Sequence, residues 1–291
     1  MSNKITHFRL LSDLHLEFAD FDVPELETDK TTLLILAGDI HVGSYSYPFL
    51  ESLVHRFAKI VYVFGNHEYY YHDFADAQSN LQYLIDYPRY YDGLKDAIVL
   101  AGNEVKVIKL DGLRIIAGTL WTDMNNGDPM TALTITDYMN DYNIITKNGV
   151  TLKPIDTIAV YDESIAAIEA ELQQPFDGKT IVVTHHAPTE LAIHTRHKGY
   201  HNAHLLAGGY RTELHEFIEK YQPDFWCFGH THDSCDIIID KTRILNNCRG
   251  YPVRNASYRA FENPDFREDL VIPLCLTDDT VDTLTVLHIS D

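Results

Sequence analysis

Five short apolar runs, each cut off by residues that are poor strand formers, restrict the fold more than any other feature of the chain. They read FRLL then SDLH, TLLILA then GDIH, IVYVF then GNHE, TIVV then THHAP, and FWCF then GHTH. Runs this short and this continuously apolar predict buried strands, each emptying into a loop. Between several of them, at 48–59, 74–86, 157–172 and 211–220, apolar residues recur at three- and four-residue spacing, which predicts helices. Strand and helix in alternation is an α/β pattern. VKVIKL and LRIIAG flank Asp111-Gly112, a hairpin turn signal; DIIID and RILNN around Lys241-Thr242 predict a second hairpin, and LVIPLCL with TLTVLHI around Asp278-Asp279 a third. The expected sheets are therefore mixed, with helices packed outside.

Neither end of the 291 residues shows a composition shift or a Pro/Ser-rich linker, and no repeat is visible, so a single domain over 1–291 is expected. A polar stretch at about 121–154 predicts long loops or a small cap with a short helix, and a second long loop is expected over about 187–209. Lys and Arg number 23 against 43 Asp and Glu, a formal charge of −20 that argues against a nonspecific hold on nucleic acid or anionic lipid. Bound cations can still recruit phosphate locally. No apolar run reaches membrane-spanning length, and MSNKITHFRLL lacks the pattern of a signal peptide. Cys227, Cys235, Cys248 and Cys275 form no C-x-x-C pair, so a cytoplasmic location is expected and the sequon Asn255-Ala256-Ser257 carries no weight.

The chemistry sits where the apolar runs stop. Alone, Asp13-x-His15 reads as a turn or cap pair. In extended chain, however, residues i and i+2 point the same way, so Asp13 with His15, and His230 with His232, can each converge on one point. Asp39, Asn66 and His185 follow three other strands at the address where ligands bind in open α/β sheets. Each has an ordinary alternative: a turn for Asp39, a left-handed residue beside Gly65 for Asn66, a cap for His185. Together they place hard or borderline metal ligands, and no thiolate, at five strand ends. Seven ligands exceed the four of a tetrahedral zinc and suit two ions sharing a carboxylate.

DLH, GDI, GNHE, THHAP and GHTH, in this order, resemble the signatures of the calcineurin-like metallophosphoesterase superfamily over most of the chain. The resemblance implies two packed mixed β-sheets flanked by helices, a four-layer α/β/β/α sandwich, and hydrolysis of phosphate mono- or diesters by metal-bound hydroxide at a dinuclear centre. It implies that Asp13, His15 and His232 bind one metal, that Asn66, His185 and His230 bind the other, that Asp39 bridges, and that His67 is the catalytic histidine. LWTD, MNDY, GHTHDSCD and CRGY are similar to a bacterial and phage branch; Cys248 stands where that branch usually has proline. His67 is placed to protonate the leaving oxygen, with Glu68 or another carboxylate orienting its ring. His186 and Arg249 are candidate substrate contacts, Arg249 through a bidentate grip on phosphate. His194, Arg196, His197, His201 and His204 decorate the second long loop, where each reads first as a solvated side chain and only second as a lining of the substrate entrance, and Tyr69-Tyr70-Tyr71 are expected in packing. Oxygen and nitrogen ligands admit Mn, Fe, Zn, Co or Ni. The expected substrate is a small phosphate ester, including nucleotides. A DNA nuclease and a non-catalytic metal-binding scaffold are the alternatives. GDIHVGS lacks the arginine of the protein-phosphatase pattern GDxxDRG.

Overall fold

The computed structural model describes residues 4–88, 93–110, 112–193, 202–253 and 260–275. Its strands are β1 His7–Leu11, β2 Thr32–Ala37, β3 Lys59–Val63, β4 Ile98–Ala101, β5 Lys106–Leu110, β6 Leu113–Ala117, β7 Thr146–Lys147, β8 Val150–Thr151, β9 Lys179–Val183, β10 Phe225–Phe228, β11 Ser234–Ile239, β12 Thr242–Asn247 and β13 Val271–Pro273. The five apolar runs form β1, β2, β3, β9 and β10. One sheet has the order β13-β1-β2-β3-β4, the other β11-β12-β10-β9-β6-β5, and β7-β8 is a small separate hairpin. The interior of both large sheets is parallel, with β13, β11 and β5 antiparallel at the edges.

Alternation along each strand sorts the side chains into layers. Phe8, Leu10, Leu33, Ile35, Val61 and Val63 of the first sheet meet Ile115, Ile181, Val183, Phe225 and Cys227 of the second in a buried middle layer. Leu34, Leu36, Ile60 and Tyr62 point the other way, beneath helices Tyr47–Leu53 and Asp76–Asp86. Ile116, Val182, Trp226 and Ile244 lie under helices Pro154–Leu172 and His215–Tyr221. The result is the helix, sheet, sheet, helix order, and burial on both faces is why these strands read as continuous apolar runs. Among the described residues no helix is long and apolar enough to cross a membrane.

Two expectations differ from the structure, and a third reaches beyond the described residues. The 121–154 stretch contains more than one short helix: Pro129–Tyr138, Asp141–Ile144 and the β7-β8 hairpin lie within it. Asp128-Pro129, read as part of a loop, is a helix start, since the Asp128 carboxylate accepts from Thr131 N–H at 2.8 Å and proline occupies the first turn. Of the third hairpin, the described part, β13, pairs with β1, and 276–291 fall outside the described residues. Helix Ala203–Tyr210 packs on Pro129–Tyr138, so both stretches contribute to one helical cap. His194, Arg196, His197 and His201 lie outside the described residues.

Candidate metal centre

Parallel strands deliver their C-terminal ends to one rim, and the residues just beyond β1, β2, β3, β9 and β10 meet there. The convergence of Asp13 with His15 and of His230 with His232 does not come from extended backbone. Asp13, His15, Asp39, His230 and His232 have φ of 51°, 45°, 54°, 70° and 52°. Left-handed residues break the ladder and turn each side chain inward, a conformation in which Asp and His are enriched and which costs other L-residues most. The backbone also has to pass very close to the ligands. A Cβ on Gly65 would collide with the Asp39 carboxylate and the His185 ring, which accounts for glycine before Asn66.

The side chains form three groups, Asp13 with His15 and His232, His15 with Glu17 and His67, and Asp39 with His185 and His230, the first two sharing His15. His15 Nε2 is 3.0 Å from His232 Nε2, and His185 Nε2 is 3.1 Å from both His230 Nδ1 and Asn66 Oδ1. The outer partners fix what these atoms present. His15 Nδ1 faces Glu17 Oε1 at 3.1 Å, His232 Nδ1 faces Glu262, and His185 Nδ1 faces the Ala37 carbonyl at 2.9 Å. Each of these acceptors takes the N–H, so the neutral rings aim lone pairs at one another and at Asn66 Oδ1. Such a cluster of inward-facing acceptors requires a cation, either a proton or a metal. His230 Nε2 is buried with no hydrogen-bond partner among the described residues, a further donor atom held for a cation. The set of carboxylate oxygens, an amide oxygen and imidazoles fits the divalent ions expected from the sequence.

In the metal-free protein protons take that role. Burial opposes charge on His185, but Asp39 outweighs it and raises the pKa to about 9; likewise Asp13 and Glu262 overcome burial and raise His232 to about 10. His230 is held down to about 3 by burial and the neighbouring His185, and stays neutral. Burial pushes the Asp13 and Asp39 carboxyls up, but the adjacent histidines more than reverse this, and both are ionised. Metal loading at pH 7 is therefore expected to release protons and to strengthen as pH rises toward 9. Calorimetric loading in two buffers of different ionisation heat measures the release; identical heats would contradict protons held on His185 and His232. In the absence of metal, the stabilisation from these raised histidine values is complete below about 6.5 and is lost as pH climbs through 9 to 10.

His67 stands beside the cluster. Its Nδ1 is 2.8 Å from Glu17 Oε1, its Nε2 is 2.8 Å from the Tyr251 hydroxyl, and its ring stacks on Tyr70 at 4.1 Å. Burial lowers its pKa, but Asp39 and Glu17 more than compensate and raise it. The orienting carboxylate is thus Glu17 and not Glu68. Glu68 turns into the core, where it accepts from the N–H groups of Asp39, Ile40 and Gly65 and from the Tyr62 hydroxyl, tying together the loops that carry Asp39 and Asn66.

Two expected substrate contacts sit elsewhere. Arg249 is 2% exposed and donates to the carbonyls of Leu14, Ala19 and Asp20, between the rings of Phe21 and Phe261. It braces the loop that carries His15 and Glu17 and does not reach the cavity, because carbonyls with few other donors compete for the guanidinium. His186 is 1% exposed, packed against Trp121 and His230, and burial followed by the neighbouring histidines keeps it neutral behind the cluster. Tyr69 and Tyr70 are buried, in keeping with a packing role, whereas Tyr71 is 76% exposed.

Sequence reasoning missed Glu17, Glu262, Tyr251 and Asp141. Glu17 follows His15 by two residues, a spacing that signals a partner for the ligand. Asp141 is buried and accepts from Asn66 Nδ2 at 2.8 Å, which leaves Asn66 Oδ1 as the inward atom. Asp141→Leu, which removes the acceptor at similar volume, is expected to weaken metal binding about 10- to 100-fold. Titration of the stripped protein with Mn measures this; unchanged affinity would mean that the amide needs no anchor.

The geometry agrees with comparisons against known proteins. A family model described as calcineurin-like phosphoesterase matches residues 6–234. An uncharacterized protein, L509 of Acanthamoeba polyphaga mimivirus, is 28% identical over 293 residues, covering 90% of this chain and 98% of that protein. The crystal structure of phosphopantetheinyl hydrolase from Mycobacterium tuberculosis is similar in fold, with a TM-score of 0.58 at 19% identity, over 92% of this chain and 99% of that one.

Proposed function

Since the chain belongs to the calcineurin-like phosphoesterase family and is a phosphoester hydrolase, we propose that it acts on small phosphate esters with two metal ions held by seven side chains. Asp13, His15 and His232 would hold one ion, Asn66, His185 and His230 the other, with Asp39 shared between them. The observation that carries this reading is the set of imidazole and amide acceptors whose outer partners force their lone pairs inward. The chemistry supplied by bound divalent ions is activation of water and neutralisation of charge on phosphoryl oxygens.

The chain's own residues do the rest. His67 lines the cavity and, when substrate replaces the Tyr251 hydroxyl as the partner of Nε2, donates a proton to the departing oxygen, while Glu17 holds Nδ1 and Tyr70 holds the ring plane. Left-handed backbone and the Glu68 bonds keep the ligands preorganised. The cap covers the cluster and limits entry to small molecules, and the acidic surface repels polyanions. The free cysteines support a cytoplasmic location.

A hydrolysis screen of monoesters, diesters and nucleotides with Mn, Fe, Zn, Co and Ni tests the reading. Small esters are expected to turn over at least tenfold faster, per kcat/KM, than oligonucleotide or plasmid DNA at physiological salt. Equal or faster degradation of DNA would favour the nuclease instead, and no turnover with any metal would favour a scaffold.

A further inference from the structure

We infer that the cap half of the cavity is a subsite for the esterifying arm of the substrate, and that this arm is uncharged, largely apolar, and attached to a single phosphate. The inference rests on the phosphoesterase reading above and specifies its substrate class.

The cavity measures about 970 Å³ and reaches from Asp39, Asn66 and His230 to a cap wall that includes Met139, Ile193, Leu206 and Tyr210. Pockets for whole small-molecule ligands run about 300 to 1,000 Å³, so a phosphate at the metal end leaves most of this space for another group. The cap wall is apolar but not self-covering. Tyr138 and Tyr210, which also line the cavity, are 73% and 38% exposed. Apolar surface held open inside a concavity gains free energy when an apolar group covers it.

The cap does not relax to close that space, because its two helices are locked together and to the rim. A Cβ on Gly209 would clash with Ile135 and Met139, so the helices sit at close range. Asn125 donates to the Thr131 hydroxyl and the His204 carbonyl at 2.9 and 3.0 Å and accepts from Arg211 at 2.8 Å. Asp141 holds Asn66, and the Tyr210 ring lies 5.0 Å from His230, so the subsite is fastened to the proposed ligands.

Charge selects against a polyanionic arm. Among the described residues the cavity is lined by no Lys or Arg, while Glu190 and Glu262 face it. Arg211, the nearby cation, is engaged by Glu190 and Asn125. A second phosphate or a carboxylate on the arm would face Glu190 and Glu262 with no Lys or Arg among the described lining residues to pair with it. Alkyl and aryl monophosphates satisfy both conditions; nucleoside monophosphates satisfy only the charge condition, and nucleoside di- and triphosphates neither.

The test is calorimetric binding of methyl-, butyl- and hexylphosphonate, and of a butylphosphonate ending in a carboxylate, to the Mn-loaded protein. The metal-binding head is constant and only the arm varies. Affinity is expected to rise about two- to fourfold per methylene, with the carboxylate-tipped compound at least tenfold weaker than butylphosphonate. Leu206→Glu should flatten the alkyl series. Equal affinity for all arms, or tightest binding of the carboxylate-tipped one, overturns the inference while leaving the metal reading intact. Binding of no phosphonate, together with no turnover in the hydrolysis screen, overturns both.

Discussion

His67→Ala is expected to lower kcat on alkyl phosphate esters by about 10² to 10⁴, the usual span for loss of a general acid, or about 2.7 to 5.4 kcal/mol. Metal content should be unchanged, since His67 is not among the seven proposed ligands. An alkoxide is a poor leaving group and needs its proton at the transition state. p-Nitrophenolate does not, so the loss on p-nitrophenyl esters should be at least tenfold smaller. Glu17→Gln should reproduce part of the effect, because the 2.8 Å contact to Nδ1 holds the ring with Nε2 toward the cavity. The measurement is kcat for both ester types together with metal analysis. Equal losses on good and poor leaving groups would assign His67 to positioning substrate.

Asp39→Asn should be more damaging still. The substitution keeps an oxygen for the 2.9 Å bond from His67 N–H and keeps the volume, so the local fold is preserved. It removes the charge between the two proposed ions. An opposite charge about 4 Å away at an effective dielectric near 20 is worth about 4 kcal/mol, or about 10³ in affinity for each ion. Metal per chain after gel filtration should fall from two to one or fewer, and turnover should fall by at least about 10³. A variant that retains two ions and near-normal rate would remove Asp39 from the bridging position.

The elements that carry the site were legible because burial on both faces writes an unbroken apolar run into the sequence. Each of β1, β2, β3, β9 and β10 stops where the chain must reach water and chemistry. The meeting of the candidate ligands was legible for a related reason: Asp, Asn and His at five strand ends have no packing role in common, and the parallel strands bring them to one rim. What was not legible depends on contacts distant in sequence. Asp141 meets Asn66 across 75 positions, and Glu262 meets His232 across 30, so neither pairing leaves a local pattern. Arg249 illustrates the opposite error, since a lone cation near a loop end looks like a phosphate grip until its three carbonyl partners are seen. Glu68, adjacent to His67 in sequence, points away because a 3-10 turn over His67–Tyr69 rotates successive side chains in different directions.

The left-handed backbone at Asp13, His15, Asp39, His230 and His232 sets this protein's durability against its usefulness. Each such residue costs about 1 to 2 kcal/mol relative to ordinary backbone, and glycine escapes most of that cost. Selection for heat resistance alone, without demand for turnover, would therefore be drawn to glycine at these positions. Thermostable variants recovered from such a screen would tend to be inactive, and useful stabilisation has to be sought far from the rim, on the outer helices and hairpin turns.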